Sequence, residues 1–439
     1  MTPSANSQKS ILLKGARLVD PRARLDDVGD ILIRGESIVS VGKNMPPPEN
    51  TMVVDCSGLT ICPAFCDAHV HLRTPGRRRK ENILTGSRAA ARGGVTTIVT
   101  MPNTVPAIDN PRRVSSILDR YKTEGFLETC IAGAISKGQK GQEEADWEGM
   151  LNAGAVAFTD DGKWTADEGI MRDALAFGKR RDVPILSHAE DASLHNNGCV
   201  NLGKISRSLG VPGIPVESEV EAIRRDIRLA KETGGRLHIQ HLSTALGIEL
   251  IKRAKKKGVR VTCEATPHHL LLNEEAVLKL KASAKMNPPL RTESDRLALI
   301  KGIKDGTIDI IATDHAPHTK LEKQQDIFRA PFGVTGLETL FSAVYNELVL
   351  GGVIQLDRLI ELISHNPRSI FGLQRIALEA GSRADLVIID PGCRWVVREK
   401  DFKGRGKNSP FIGREFTGRV LCTIHRGEIV FKDHSFIAI

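Results

Sequence analysis

Aromatic residues are scarce in this sequence, and long apolar runs are missing. Phe, Trp and Tyr together make up only 4% of the 439 residues. Proteins that bind single-stranded nucleic acids need aromatic side chains on which the bases stack, so this composition argues against such a surface. No apolar run approaches the roughly 18 residues that a membrane-spanning helix needs. We therefore expect neither a nucleic-acid partner nor a membrane partner.

Closely spaced cysteine pairs are missing as well. The eight cysteines are scattered, and no two of them form a CxxC pair. This spacing argues against a disulfide framework and against a zinc ribbon, and it favours free thiols in a reducing compartment. The first ten residues, MTPSANSQKS, are polar and lack the apolar stretch of a secretory signal peptide. These two features predict a cytoplasmic protein.

The remaining composition is that of an ordinary globular protein. Hydrophobic residues account for 41% and charged residues for 26%, which is sufficient for a large core. Lys and Arg number 62 against 53 Asp and Glu, so the formal net charge is +9. The densest basic run, RRRK at residues 77–80, predicts a solvated or substrate-facing loop. The length fits a barrel of about 250 residues with a smaller second domain.

Both ends of the chain have the sequence pattern of short β-strands. Short β-type runs with glycines between them occur at residues 11–13, 30–33 and 38–41. Similar runs return at residues 384–389, 418–424 and 428–431. We predict that residues 1–60 and 376–439 together form one small β-sandwich domain.

The middle of the chain alternates short apolar strands with amphipathic helical stretches. Eight candidate strands lie at residues 65–69, 96–100, 128–132, 155–158, 184–187, 237–240, 260–263 and 309–312. Eight such units predict an α/β fold, a (β/α)₈ TIM-type barrel over residues 61–375. An open, doubly wound sheet is the alternative. No GxGxxG motif follows the first strand, which weakens a dinucleotide-binding interpretation.

Histidine and aspartate collect at the carboxyl ends of these strands, where barrel enzymes carry their active sites. His69 and His71 lie two residues apart on the first strand, so their side chains point the same way and can share an ion. Later strand ends supply Asp160, Asp161, His188, His241, Asp314 and His315. Any one of them could be a packed residue or a helix cap. Together they favour Zn²⁺, and a carboxylate able to bridge favours a two-metal site.

A series of strings along the chain resembles the signatures of dihydroorotases, a family within the cyclic amidohydrolase superfamily. The strings are DAHVHLRTPG (67–76), MPNT (101–104), FTDDG (158–162), SHAED (187–191), QHLS (240–243), EATPHHL (264–270), KMNPPLR (285–291) and ATDHAPH (312–318). The match runs from about residue 10 to about residue 432 and resembles the longer bacterial type. The resemblance implies reversible, zinc-dependent hydrolysis of (S)-dihydroorotate to N-carbamoyl-L-aspartate in pyrimidine biosynthesis.

The resemblance also implies a role for each matching residue. Two Zn²⁺ per chain would be held by His69, His71, Asp161, His188, His241 and Asp314. Asp161 would bridge the two ions, and Asp314 would also act as general base and then general acid. The substrate would be bound by His71, Arg73, Asn103, Asn287, His318, Phe332 and Gly333.

The sequence departs from the family pattern in one loop. Thr74 stands where an acidic residue is common, and residues 77–79 replace a less basic segment. Neither departure touches a predicted metal ligand.

Two alternatives stay open. Another cyclic amidohydrolase (a hydantoinase, dihydropyrimidinase or allantoinase) is disfavoured by Arg73, Asn103 and Asp161. A non-catalytic subunit of aspartate transcarbamoylase is disfavoured because all six metal-type residues are present. The resemblance also leaves open a homodimer and an aspartate transcarbamoylase partner.

Overall fold

The structure, a computed structural model, describes residues 10–436. The first strands of the chain form one half of a terminal sheet: β1 (Ser10–Asp20), β2 (Leu25–Arg34), β3 (Ser37–Gly42), β4 (Thr51–Asp55) and β5 (Thr60–Pro63). β1 pairs antiparallel with β2, whereas β4 and β5 run parallel to β1. An irregularity between Leu13 and Ala16 interrupts the β1–β2 register, and β1 pairs with β4 before it and with β5 after it.

The middle of the chain supplies the barrel strands and one small ribbon. These strands are β6 (Phe65–Val70), β7 (Val95–Thr100), β8 (Glu128–Gly133), β9 (Ala157–Phe158), β10 (Ile185–Ser187), β11 (Val200–Asn201), β12 (Gly213–Ile214), β13 (Leu237–Ile239), β14 (Val261–Ala265) and β15 (Ile310–Ile311). β11 and β12 pair only with each other among the described residues. The other eight run parallel in chain order, and a bridge between Val70 and His315 closes the ring.

Helices surround the barrel, and short helices also occur within the loops that connect its strands. They are α1 (Ile83–Arg92), α2 (Pro111–Glu124), α3 (Trp147–Asn152), α4 (Glu168–Arg181), α5 (Lys204–Leu209), α6 (Val216–Thr233), α7 (Ala245–Lys256), α8 (Pro267–Leu271), α9 (Ala276–Leu280), α10 (Glu293–Lys304), α11 (Lys320–Lys323), α12 (Leu340–Val344), α13 (Leu356–Ile360) and α14 (Asn366–Ile370). Side chains of Asn82, Asn110, Asp167 and Thr244 cap α1, α2, α4 and α7. None of the helices in residues 10–436 is long and apolar enough to cross a membrane.

The C-terminal strands complete the terminal sheet. They are β16 (Leu386–Val396), β17 (Glu415–His425) and β18 (Glu428–Lys432), and β16 pairs antiparallel with β5. Buried residues of both halves, such as Ile31, Ile61, Leu386 and Ile424, share one apolar core. The predicted fold class, a (β/α)₈ barrel with a β domain from both termini, is confirmed.

The ends of the two predicted terminal segments do not coincide with the limits of the described strands. β5 runs to Pro63 and so crosses the predicted boundary at residue 60. Residues 1–9 and 437–439, which belong to the predicted segments, lie outside the described residues.

Candidate metal centre and substrate cavity

Buried histidines and aspartates meet at one end of the barrel. The carboxyl ends of parallel strands share one rim, so residues far apart in sequence converge there. The six predicted metal ligands are all at this rim and at most 6% exposed: His69, His71, Asp161, His188, His241 and Asp314. The structure therefore brings the whole predicted set together.

Asp161 lies at the centre of this cluster. Its Oδ1 is 3.2 Å from His69 Nε2, 3.6 Å from His188 Nδ1 and 3.9 Å from His241 Nε2. Its Oδ2 is 3.5 Å from His71 Nε2. His69, His71 and Asp161 offer ligand atoms within 4.8 Å of one another, and so do Asp161, His188 and His241. Because it belongs to both groups, the Asp161 carboxylate is placed to bridge two cations.

Asp314 joins the first of these groups. Its Oδ1 is 3.0 Å from His71 Nε2 and 3.5 Å from His69 Nε2. Burial alone would raise the pKa of this carboxyl, but the charge of His69 and the hydrogen bond with His71 outweigh burial and hold the pKa at about 2. The carboxylate is therefore ionised at neutral pH, as a metal ligand or a general base must be.

Three residues of the site have a left-handed backbone. The φ angles are +53° for Arg73, +33° for His241 and +46° for Asp314. This region is unfavourable for residues that carry a Cβ, and such strain concentrates at functional sites. Each of the three follows a barrel strand and lines the cavity described below. The hydrophobic pattern of the sequence gives no indication of these conformations.

Glu264, the fourth residue of β14, supports two of the histidines. His69 Nδ1 lies 2.6 Å from Glu264 Oε1, and the His241 backbone N–H donates to the same oxygen at 3.1 Å. A carboxylate on Nδ1 fixes the ring and leaves Nε2 free for a metal. Sequence reasoning quoted Glu264 within a motif but gave it no role. Its place near the carboxyl end of the seventh predicted strand was the available signal.

The cluster has the chemistry of a metal site. Within the described residues, the buried atoms His69 Nε2 and His241 Nδ1 have no hydrogen-bond partner. The ring atoms His188 Nδ1 and His241 Nε2 face each other at 2.7 Å beside Asp161. Buried polar atoms left without partners cost free energy, and imidazole with carboxylate donors suits Zn²⁺. The residues present therefore fit a metal ion.

A cavity of about 150 Å³ adjoins the cluster. Besides cluster residues, its lining includes Arg73, Asn103, Asn287, Phe332 and Gly333. His318 stands behind this lining, where its Nε2 is 3.4 Å from an Arg73 nitrogen and donates to the Phe332 carbonyl at 2.6 Å. All seven residues predicted to bind substrate thus lie at or next to the cavity, because His71 also lines it.

Asn103 contacts the metal cluster as well as the cavity. Its Oδ1 is 2.9 Å from His71 Nδ1, and its Nδ2 donates to Asp161 Oδ2 at 3.0 Å. Sequence reasoning assigned Asn103 to the substrate only and missed this orienting contact. Asn287 donates to Glu190 at 2.6 Å, and its Oδ1 is buried without a partner in the described part of the chain.

The basic loop at residues 77–80 has an exposed part and a half-buried part. Arg77, Arg78 and Arg79 are exposed. Lys80 turns inward, with its Nζ 3.0 Å from His318 Nδ1 and 2.7 Å from Glu322 Oε1. The exposed arginines agree with the solvated interpretation, and the substrate-facing interpretation stays a prediction.

Sequence comparison identifies the family. A family model described as Dihydro-orotase-like matches residues 58–246. The Dihydroorotase of Aquifex aeolicus (strain VF5) is 44% identical over 423 residues, which cover 96% of this chain and 99% of that protein. The Dihydroorotase of Caldicellulosiruptor saccharolyticus is 43% identical over 424 residues, with the same coverage.

Solved structures share the architecture at lower identity. L-Hydantoinase (Dihydropyrimidinase) from Arthrobacter aurescens superposes with a TM-score of 0.87 at 25% identity and covers 98% of this chain and 97% of its own. Dihydropyrimidinase from Brevibacillus agri NCHU1002 gives a TM-score of 0.84 at 23% identity and covers 98% of this chain and 96% of its own, which shows the fold alone. The hydantoinase alternative is thus much less similar in sequence than the dihydroorotases are. The chain belongs to the dihydroorotase family, whose members are hydrolases acting on cyclic amides.

Proposed function

We propose that this protein interconverts (S)-dihydroorotate and N-carbamoyl-L-aspartate in pyrimidine biosynthesis, with two Zn²⁺ per chain. The observation that carries the proposal is the cluster centred on Asp161, with a buried arginine beside it in the same cavity. His69, His71 and Asp314 would hold one ion, His188 and His241 the other, and Asp161 both. When bound, zinc lowers the pKa of water to about 7 and polarises a carbonyl oxygen.

Asp314 is the residue that we assign to proton transfer. Hydrolysis breaks the ring amide: a water oxygen adds to the carbonyl carbon, and the ring nitrogen leaves with a proton. The Asp314 carboxylate takes the proton from the water and delivers it to the departing nitrogen. Its ionised state and its position on the cavity lining, 3.0 Å from His71, support both steps.

Arg73 is the residue that we assign to the substrate carboxylate. It is 8% exposed, and although burial lowers its pKa to about 10, it stays cationic at neutral pH. It forms no ion pair with any carboxylate of residues 10–436, and its Nε donates only to the Pro317 carbonyl at 3.3 Å. A guanidinium binds a planar carboxylate through two parallel hydrogen bonds.

The buried Arg73 would make the site specific for substrates that carry a carboxylate. A site built to bind a carboxylate leaves a buried charge unpaired when an uncharged ring occupies it, and that penalty disfavours hydantoins and dihydropyrimidines. The retained metal-type residues also weigh against a non-catalytic transcarbamoylase subunit.

The cellular setting is also part of the proposal. We place the protein in the cytoplasm because its scattered cysteines favour a reducing compartment. The homodimer and the aspartate transcarbamoylase partner stay predictions.

Two measurements on one preparation test the function. Purified protein is mixed with dihydroorotate or with N-carbamoyl-L-aspartate, and the ring is followed by its ultraviolet absorbance. We expect both reactions to reach the same ratio, with more ring in acid, because ring opening creates a carboxylate and releases a proton. Elemental analysis should give about two zinc ions per chain. Folded, zinc-loaded protein that turns over neither compound would favour the non-catalytic subunit, and turnover of a hydantoin alone would favour the other amidohydrolases.

A further inference from the structure

Lys323, the last residue of α11, is a buried lysine that forms no ion pair with any described carboxylate. It is 8% exposed. Its Nζ donates instead to three main-chain carbonyls, at 3.2 Å to Lys285, 3.0 Å to Pro331 and 2.9 Å to Gly333. An ammonium carries three N–H donors, so the three carbonyls use all of them.

Two of these carbonyls belong to residues 331–333, a segment that forms one wall of the substrate cavity through Phe332 and Gly333. His318 donates to the Phe332 carbonyl, and the Asn408 side chain donates to the Gly333 carbonyl at 3.0 Å. The three successive carbonyls of residues 331–333 are therefore all held by side chains. Because a peptide unit is planar, holding its carbonyl also fixes the direction of the next N–H group.

The wall has a backbone conformation that depends on such anchors. Gly333 has a φ of +119°, and a Cβ there would lie 2.7 Å from Ala316 Cβ and 3.1 Å from His318 Nε2. Residues 331–333 belong to no helix or strand. A second lysine acts on the same segment, because Lys285 Nζ donates to the Phe328 carbonyl at 2.9 Å and lies 4.5 Å from the centre of the Phe332 ring.

We propose that Lys323 is a positioning residue for substrate binding, whose ammonium holds residues 331–333 in the conformation that Phe332 and Gly333 need to form the cavity wall. The identity of the substrate rests on the proposed function. The wall meets the substrate before and during the reaction alike, so loosening it weakens ground-state and transition-state binding equally. Such a change raises KM and leaves kcat nearly unaltered.

The charge of Lys323 adds a pH dependence. Burial, together with the charges of Lys285 and Lys80, lowers its pKa to about 7, and the charge of Glu322 acts in the opposite direction. Burial and the charges of Arg73, Lys80 and Lys323 lower the pKa of His318 to about 2, so this neighbouring ring is neutral. When Lys323 loses its proton, one donor disappears and a lone pair faces a carbonyl. The KM of the parent protein should therefore rise as the pH increases through about 7.

Two substitutions on α11 form a matched test. Lys323→Met removes the ammonium, and Lys320→Met removes a lysine whose side chain is 71% exposed. Hydrogen exchange of residues 326–335, zinc content, and KM and kcat for dihydroorotate are measured on each. For Lys323→Met we expect faster exchange, a KM raised about tenfold or more, and unchanged zinc and kcat. Its KM should also lose the rise through neutral pH. Lys320→Met should match the parent protein.

Several results would overturn the proposal. These are parent-like exchange and KM in folded Lys323→Met, or a fall in kcat with KM unchanged. If Lys323→Met does not fold, Lys323→Gln replaces it, since the glutamine amide still donates two hydrogen bonds. A smaller rise in KM then supports the proposal, whereas a parent-like KM or a second failure to fold shows a merely structural lysine. If the parent protein does not turn over dihydroorotate, the proposed function fails, and the exchange measurement still decides whether Lys323 holds the wall.

Discussion

Histidine–carboxylate contacts are buried in two regions of this molecule, and the number of imidazole rings around a single carboxylate differs between them. One region is the cluster around Asp161 at the carboxyl ends of the barrel strands. The other is the junction where the terminal sheet meets the amino ends of β6 and β7. At the junction, Asp20 Oδ1 is 2.9 Å from His365 Nε2, and its Oδ2 accepts from the Leu378 N–H at 2.7 Å.

The junction contains a second buried pair, formed by Asp385 and His425. Asp385 Oδ1 is 3.0 Å from His425 Nδ1, and its Oδ2 accepts from Arg383 Nε at 2.9 Å. Each junction carboxylate thus has one histidine and a partner for each oxygen. In the cluster, by contrast, four imidazole rings lie within 3.9 Å of the single carboxylate of Asp161. One-to-one pairs stabilise a fold, whereas four imidazole rings that converge on one carboxylate indicate a site for cations.

The largest effect that we expect separates the two regions by turnover. Asp314→Asn keeps the shape of the side chain but cannot accept a proton, so kcat should fall by about 10²–10⁴ with zinc mostly retained. Asp20→Asn makes the same chemical change at the junction and should leave kcat unaltered. Zinc content and kcat are measured on the same preparation of each variant. Full zinc with more than about a tenth of the parent kcat would remove Asp314 from the mechanism.

Arg73→Met should give the next largest effect, through the substrate carboxylate. Losing a buried, charge-assisted contact costs about 2–5 kcal/mol, which should appear in kcat/KM for dihydroorotate. Any side activity on an uncharged cyclic amide should change far less. The two substrates are assayed side by side with equal zinc content. An equal loss for both would show that Arg73 supports the structure of the site rather than its specificity.

Asp20→Ala should lower the free energy of unfolding and leave kcat unchanged. Each buried polar group that loses its hydrogen-bond partner typically costs about 1–3 kcal/mol. His365 and the Leu378 N–H would both lose their acceptor. Urea denaturation should show this loss in the free energy of unfolding, while folded protein keeps its zinc and kcat. A loss of kcat at unchanged stability would erase the distinction between junction and cluster.

Strand-end positions explain how much the sequence could predict. The eight short apolar runs predicted the barrel, and the barrel placed His69, Asp161 and the other cluster residues at one rim before any contact was known. The contact between His69 and Glu264, by contrast, joins residues 195 positions apart, and no local pattern indicates which strand-end carboxylate meets which ring.

Loop conformations were beyond prediction for a related reason. The left-handed backbones of His241 and Asp314 depend on tertiary packing that overrides local preference. The role of Lys323 depends on carbonyls, and every residue type carries a carbonyl, so the sequence gives no sign of it.

The smallest expected effect concerns the acid stability of the junction. Burial alone would raise the pKa of Asp385, but the hydrogen bond and charge of His425, together with the charge of Arg383, hold the pKa at about 2, below its ordinary value of 3.8. Since the unfolded chain binds this proton more tightly, the carboxylate stabilises the fold fully above about pH 4 and loses that contribution as the pH falls to about 2. The shift corresponds to about 2 kcal/mol.

Asp385→Asn should remove this contribution. Its free energy of unfolding should be lower than that of the parent protein at neutral pH, and it should fall less steeply between about pH 4 and about pH 2. The cluster would obscure the comparison, because acid also protonates metal ligands. Both proteins are therefore treated with a chelator, which removes any bound metal, before urea denaturation at each pH. Parallel curves over the whole range would mean that the Asp385 pair, although complete in its hydrogen bonds, contributes no stability that depends on its charge.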